Sequence, residues 1–269
     1  MTGKLALFTF IASLAAPIAA QAQNFDDIID ASLLSGWRQS DGSHMAAIRL
    51  DLEQGWHTYW RAPGDAGIPP YFDMSGSGNF KSFQVLWPRP EVYEQNGLRS
   101  IVYHDSVVLP LRIVPTARGQ DITLNAEIEI GICKDICIPK TLNVRAVLPA
   151  AARARDALIA SALADRPDTG KEAGAQNVTC RISPTRDGVA LKTTLTLPRV
   201  GRSEAMAIET ADPLLWVGEP EMKRSGNALS SVTQIQHVEG APFILNRSGI
   251  RITVLGESRA VEISGCTGQ

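Results

Sequence analysis

Cys133 and Cys137 stand four positions apart in EIEIGICKDICIP, and they are two of only four cysteines in the 269 residues. Two thiols this close have three uses. They can staple the chain as an inert disulfide, exchange electrons with other thiols as the disulfide forms and breaks, or hold a soft metal ion as thiolates. Exchange needs both sulfurs within bonding reach and one of them accessible. Metal binding needs further ligands, which His57, His104 or Met74 can supply only through folding. As a staple the pair closes a very short loop, so its entropic stabilisation is small. In a helix, positions i and i+4 share a face. At the end of a strand, a tight turn through Lys134, Asp135 and Ile136 brings the sulfurs together instead. The β-branched run before the pair and Pro139 just after it favour the turn. Lys134 favours a neighbouring thiolate and Asp135 opposes it, so the charges set no net direction. The spacing is not the CxxC of thioredoxin-like enzymes, and no βαβ context surrounds it. On these residues alone all three uses stay open.

The compartment matters to that choice. Lys4, the apolar stretch Leu5–Ala20 and the small-x-small tripeptide Ala20-Gln21-Ala22 form an export signal rather than a membrane span. No later segment approaches the ~20 apolar residues that a spanning helix needs. A soluble, exported mature chain is therefore expected, in a place where disulfides persist. The other two cysteines then read as the structural pair. Cys180 lies in the first strand of the second half and Cys266 in the last, so a bond between them ties the two ends of that half.

The elements that must position these residues are mostly strands. HMAAIRLDLEQGWHTYW, SFQVLWPRP, SVVLPLRIVP, ITLNAEIEIGIC and TLNVRAVLP alternate or are β-branched, with Gly, Pro and Asn between them. RAPGDAGIPP is too rich in Gly and Pro for an element interior and reads as a surface loop, with Asp65 as a turn residue. PAAARARDALIASALAD is rich in helix formers, with Pro149 at its start. β patterns resume in NVTCRI, GVALKTTLTLP, AMAIET, ALSSVTQIQHV, GIRITVLG and AVEISGC. The predicted organisation is all-β: a signal peptide (1–22), a β-sandwich domain (23–148), a helix and linker (149–175) and a second β-rich domain (176–269).

The formal net charge is −2, which leaves no electrostatic footprint for nucleic acid. No phosphate-binding glycine loop, HExxH or GxSxG motif occurs. Trp56, His57, Tyr59 and Trp60 form the densest aromatic cluster. It reads either as sandwich packing or as a docking patch beside the cysteines. His57 and His104 read as thiol proton partners or as ordinary hydrogen-bonding residues.

GWHTYWRAPGDAGIPP (55–70), VLWPRPEVY (85–93), VYHDSVVLPL (102–111) and GICKDICIP (131–139) occur in an order that resembles the N-terminal periplasmic domain of the thiol:disulfide interchange protein DsbD, and especially its ScsB-like relatives. The resemblance implies an immunoglobulin-like β-sandwich in the periplasm. It implies that Cys133 and Cys137 carry electrons, with Cys137 exchanging and Cys133 resolving the mixed disulfide. The implied partners are a thioredoxin-like domain or membrane electron-transfer protein on one side and oxidised periplasmic proteins on the other, with no cofactor and no bound metal. The full interchange protein also has a membrane domain and a thioredoxin-like domain. Neither is recognisable up to Gln269, so these partners are expected on separate chains. The family shields its pair with an aromatic-bearing cap loop. EQNGLRS, in the corresponding place, has no aromatic, and Tyr93 or Tyr103 is expected to serve. His57, Trp60 and Asp105 are the other expected neighbours of the pair. The alternative is a non-enzymatic β-sandwich that binds a ligand or handles copper, with purely structural disulfides.

Overall fold

The computed structural model describes residues 27–64, 67–95 and 97–268. The export signal and Asp65 lie outside the described residues. Ten strands come before the helix: β1 (Ile29–Arg38), β2 (His44–Leu52), β3 (His57–Tyr59), β4 (Tyr71–Asp73), β5 (Ser82–Val85), β6 (Glu91–Gln95), β7 (Leu98–His104), β8 (Ser106–Val114), β9 (Ile122–Cys133) and β10 (Cys137–Leu148). They form two sheets, ordered β1-β2-β8-β5 and β10-β9-β3-β7-β6, with β4 also pairing β9. The sheets stack as an immunoglobulin-like sandwich, and sequence alternation sets their faces. Ile122, Leu124, Ala126, Ile128, Ile130 and Ile132 of β9 turn inward against Ile48 and Leu50 of β2 and Leu109, Leu111 and Ile113 of β8. Each fully buried Ile or Leu contributes ~1.5–3 kcal/mol. The intervening Thr123, Glu127 and Glu129 stay exposed.

HMAAIRLDLEQGWHTYW, which reads as one run, is two strands in different sheets. The chain crosses between them in a turn where Trp56 N donates to Glu53 O at 3.0 Å. Gly55 sits at φ 83 in that turn. β1 escapes the alternation pattern because its register with β2 slips between Leu34 and Trp37. Gly36 lies in that slip, where a Cβ would come within 1.8 Å of the Met45 carbonyl oxygen.

The helix α1 (Ala157–Ala164) is shorter than its helix-rich sequence, and Pro149 does not start it. Ala152 N bonds back to Pro149 O, and Ala152 O accepts from Arg38 N, so this stretch turns and ties to β1. Asp156 is the N-cap, and its carboxylate accepts from Leu158 N and Ile159 N. Ile159 is fully buried with Trp37, Met45 and Ala47, which docks the helix on the first sandwich.

The second half contains β11 (Asp168–Thr169), β12 (Gln176–Pro184), β13 (Val189–Thr196), β14 (Ala205–Glu209), β15 (Leu215–Val217), β16 (Glu221–Ser225), β17 (Ala228–His237), β18 (Arg251–Leu255), β19 (Ala260–Ser264) and β20 (Thr267–Gly268). Its sheets run β11-β19-β18-β14 and β15-β17-β13-β12-β20, with β16 also on β17. Leu191, Leu195, Leu229 and Ile235 of one sheet pack with Ile252, Val254 and Val261 of the other. The Cys180 and Cys266 sulfurs are bonded and join β12 to the segment just before β20.

The two halves share an interface. Ala205, Ala207, Leu255 and Ala260 extend the core of the first half. Arg61, just beyond β3, donates to Glu209 through Nε (2.9 Å) and Nη2 (3.0 Å), and to Glu262 at 2.6 Å. Among the described residues, no helix is long and apolar enough to cross a membrane.

Candidate dithiol–disulfide site

Twelve consecutive residue pairs join β9 to β10, from Leu148↔Ile122 to Cys137↔Cys133. The hairpin closes through Lys134, Asp135 and Ile136, with Lys134 N donating to Ile136 O at 3.1 Å. The turn expected from sequence is therefore the one that forms. It places the two sulfurs opposite one another on adjacent strands, bonded, with Cα atoms 4.1 Å apart. The two sulfurs differ in environment. Cys133 is 2% exposed, whereas Cys137 is exposed.

Register explains what surrounds Cys133. His57 of β3 stands opposite both Cys133 of β9 and His104 of β7. Residues opposite one another share a face, so Cys133, His57 and His104 line up on the outer face of the sheet. Tyr59, two residues on from His57, shares that face. Its hydroxyl donates to Cys133 Sγ at 3.0 Å and lies 3.5 Å from Cys137 Sγ. Burial raises the Tyr59 pKa, so the phenol keeps the proton it donates. Gly131 allows this approach, because a Cβ there would lie 3.0 Å from Ile68 and 3.3 Å from the Tyr59 ring.

His57 packs against Tyr59, Tyr93 and His104, with ring centroids 5.1–5.6 Å apart. Burial, and secondarily the nearby His104, lowers its pKa to about 4, so it is neutral at pH 7. His104 Nδ1 lies 3.2 Å from Glu91 Oε2. Tyr93 packs with Tyr59, Val102 and Cys133. Tyr93 belongs to the β6–β7 hairpin, whose Gln95 side chain donates to Lys134 O at 3.3 Å. This hairpin contains EQNGLRS, so Tyr93 supplies the aromatic cover that the tip lacks. The Lys134 ammonium donates to Gln54 O and lies along Gly55.

Two residues expected beside the pair face the other way. Trp60 is fully buried in the sandwich core, with the Arg61 guanidinium 4.1 Å over its ring. Tyr103 is buried in the same core and donates to Pro88 O at 2.7 Å. Both stand one position from an outward residue, and in a strand one position reverses the face. Asp105 is exposed at the β7–β8 turn, at φ 56, with its carbonyl accepting from Leu52 N. Its place is accounted for by the turn. The aromatic cluster is thus split between the core and the cover of the site, and it is not an exposed patch. Tyr59, expected only as a member of the aromatic cluster and not as a direct neighbour of the sulfurs, is the residue that contacts both of them. Apolar side chains on the bordering elements are exposed: Ile68, Tyr71, Leu98 and Ile136, the last at 53%. No group of three or more His, Cys, Asp and Glu residues is arranged to hold a metal among the described residues.

The arrangement can perform thiol chemistry: an accessible sulfur bonded to a buried one, with a proton donor aimed at the buried sulfur. Residues 30–149 match the family model described as thiol:disulfide interchange protein DsbD, N-terminal. Among solved structures, the chain is similar to the crystal structure of the N-terminal periplasmic domain of ScsB from Proteus mirabilis. The TM-score is 0.65 at 19% sequence identity, covering 90% of this chain and 92% of that one. No match was found among curated proteins. Residues 30–149 are thus similar to the N-terminal domain of a thiol–disulfide interchange family, and the solved structure shares the fold.

Proposed function

We propose that this chain is a periplasmic thiol–disulfide exchange protein that relays electrons through Cys133 and Cys137. The electrons come from a thioredoxin-like domain or membrane reductase and pass to oxidised periplasmic proteins. The observation that carries the reading is the asymmetry of the pair: Cys137 is open to attack while Cys133 is buried against the Tyr59 hydroxyl.

In the loading step a partner thiolate attacks Cys137 Sγ. The Cys133–Cys137 bond breaks, and Cys133 leaves as a thiolate that accepts the Tyr59 hydrogen bond. A second partner thiolate attacks the partner's own sulfur in the mixed disulfide and releases Cys137 as a thiolate. Two electrons have then moved onto this chain, and the partner is left as a disulfide. In the unloading step Cys137 attacks a client disulfide and one client sulfur leaves as a thiolate. Cys133 then attacks Cys137 Sγ, which restores the original disulfide and releases the second client thiolate. Solvent supplies and removes the protons. A better-stabilised leaving thiolate departs faster, which gives Tyr59 a defined effect on the loading step.

The test is equilibration with glutathione or dithiothreitol buffers, followed by thiol alkylation and mass spectrometry. Reduction of Cys133–Cys137, with Cys180–Cys266 intact, is expected at potentials above about −300 mV; a pair still oxidised below that value overturns the reading. With Cys133→Ala, a mixed disulfide through Cys137 to a thioredoxin-like protein should accumulate.

A further inference from the structure

A second feature lies beside the proposed exchange site. Between the two halves is a cleft of about 520 Å³. The loop after β3 forms one wall with Arg61, Pro63 and Pro69. β15 and its flanks form the other with Trp216, Val217 and Glu219. The same loop also covers the cysteine site, because Gly67 lies against the Tyr59 ring and Ile68 against Gly131. Whatever occupies the cleft is therefore held one loop away from the exchanging pair.

Three observations describe the occupant. First, β15 is an edge strand: it pairs with β17 on one side and has no strand on the other among the described residues. An open edge beside a cleft takes an extended chain by backbone hydrogen bonds. Second, the mouth is apolar. Val238 N bonds Leu214 O, which places these two residues opposite one another, and Trp216 lies two positions along the same face. These side chains are 61%, 44% and 45% exposed, respectively. Third, the lining carries a small net negative charge. Glu209, Asp212 and Glu219 line the cleft against Arg61 and Arg99. Arg61 is engaged by Glu209 and Glu262, and Arg99 by Glu94 and Glu219. Arg251 also approaches Glu209 and Glu262, so these pairs neutralise both signs, and Asp212 is the lining's remaining negative charge, which favours a basic side chain in the occupant.

We infer that this cleft is the client subsite: it binds an extended segment of the disulfide-bearing client, with apolar and basic side chains, along the open edge of β15. This deepens the exchange reading and rests on it. It also limits the substrate class to proteins that present an extended segment, such as a loop or an exposed edge strand, near their disulfide.

The probe is a fluorescein-labelled twelve-residue peptide of alternating valine and lysine, with a valine–glutamate peptide as the control. Both are titrated into the full, oxidised chain and followed by anisotropy. Saturable binding of the lysine peptide is expected, with the glutamate peptide at least about tenfold weaker. Trp216→Ala should weaken the lysine peptide by about tenfold. Val217→Pro, which disrupts pairing along β15, should abolish binding, with circular dichroism checking that each variant folds. No saturable binding, equal binding of both peptides, or unchanged binding by a folded Trp216→Ala overturns the inference. Reduction of Cys133–Cys137 by dithiothreitol is measured on the same samples and should be unchanged by Trp216→Ala. A pair that resists reduction in a protein that still binds the peptide refutes the exchange reading and leaves the cleft as a peptide site. A reducible pair without peptide binding refutes the cleft alone.

Discussion

Removing the two disulfides separately should have unequal effects on the fold, and the inequality tests which of them the protein can open. Cys180 and Cys266 are 86 positions apart, and Cys133 and Cys137 are four apart. In the chain-entropy model, crosslinking restricts the unfolded chain by about 2.1 + 1.5R ln n cal/mol/K. For the long loop this is about 4.6 kcal/mol at 25 °C, and for the short loop about 1.9 kcal/mol. Packing acts in the same direction. Cys180 is fully buried within the second core, so its loss also leaves space there. The short loop lies at the end of a hairpin already held by a twelve-pair register. Urea unfolding of Cys180→Ala/Cys266→Ala and Cys133→Ala/Cys137→Ala should therefore show losses of about 4–5 and about 2 kcal/mol. For a chain of this size the first loss corresponds to a melting temperature lower by roughly 10–18 °C. Equal losses, or a larger loss from the short loop, would refute the division into a structural bond and one that can be opened without unfolding.

Tyr59→Phe keeps the ring and removes only the donor to Cys133, so loading of the oxidised pair by a small dithiol should slow by about tenfold, as stopped-flow thiol exchange would measure. An unchanged rate would separate Tyr59 from the chemistry. His57 is neutral when folded, with its pKa lowered to about 4 from an ordinary value near 6.5. Between those values the unfolded chain binds a proton that the native state does not, so stability should fall as pH drops from 6.5 towards 4, by at most about 3 kcal/mol from this residue. His57→Gln should flatten that part of a urea-stability pH profile, and a profile unchanged by the substitution would refute the assignment. Arg61→Met leaves Glu209 and Glu262 with only the longer, more exposed contacts to Arg251. A loss of about 3 kcal/mol is expected, partly recovered in Arg61→Met/Glu209→Gln, with urea unfolding as the measurement.

Much of this was legible in the chain where one physical signal dominated. Strict alternation in ITLNAEIEIGIC marks β9 and its buried face, and the short loop to Cys137 marks the hairpin. The helix-forming stretch contains α1, although its start depended on a backbone tie from Ala152 to β1 that no local propensity encodes. The choice between Tyr59 and Trp60 as the neighbour of the cysteines depended on register. Both are aromatic and adjacent, and only the pairing of His57 with Cys133 decides which one faces outward. The Arg61 cluster was out of reach for another reason. Its carboxylates lie 148 and 201 positions away, and nothing local to them signals that they meet.

The pair first met in GICKDIC can now be judged by what its surroundings would be for. A staple needs no polar donor aimed at one of its sulfurs, because a disulfide sulfur is a weak acceptor and gains little from the Tyr59 hydroxyl. A thiolate gains considerably more, since hydrogen bonds to ionised groups are roughly twice as strong as neutral ones. The contact at Cys133 therefore stabilises the thiolate that, in the proposed exchange, leaves when Cys137 is attacked. His57 does not compete for that role, because burial keeps it neutral. Eleven further residue pairs join the two strands of the hairpin besides the pair of cysteines. A paired frame with one open sulfur, and a donor to the leaving thiolate, suits an exchange reaction. A bond that only had to stay shut would have no use for that donor.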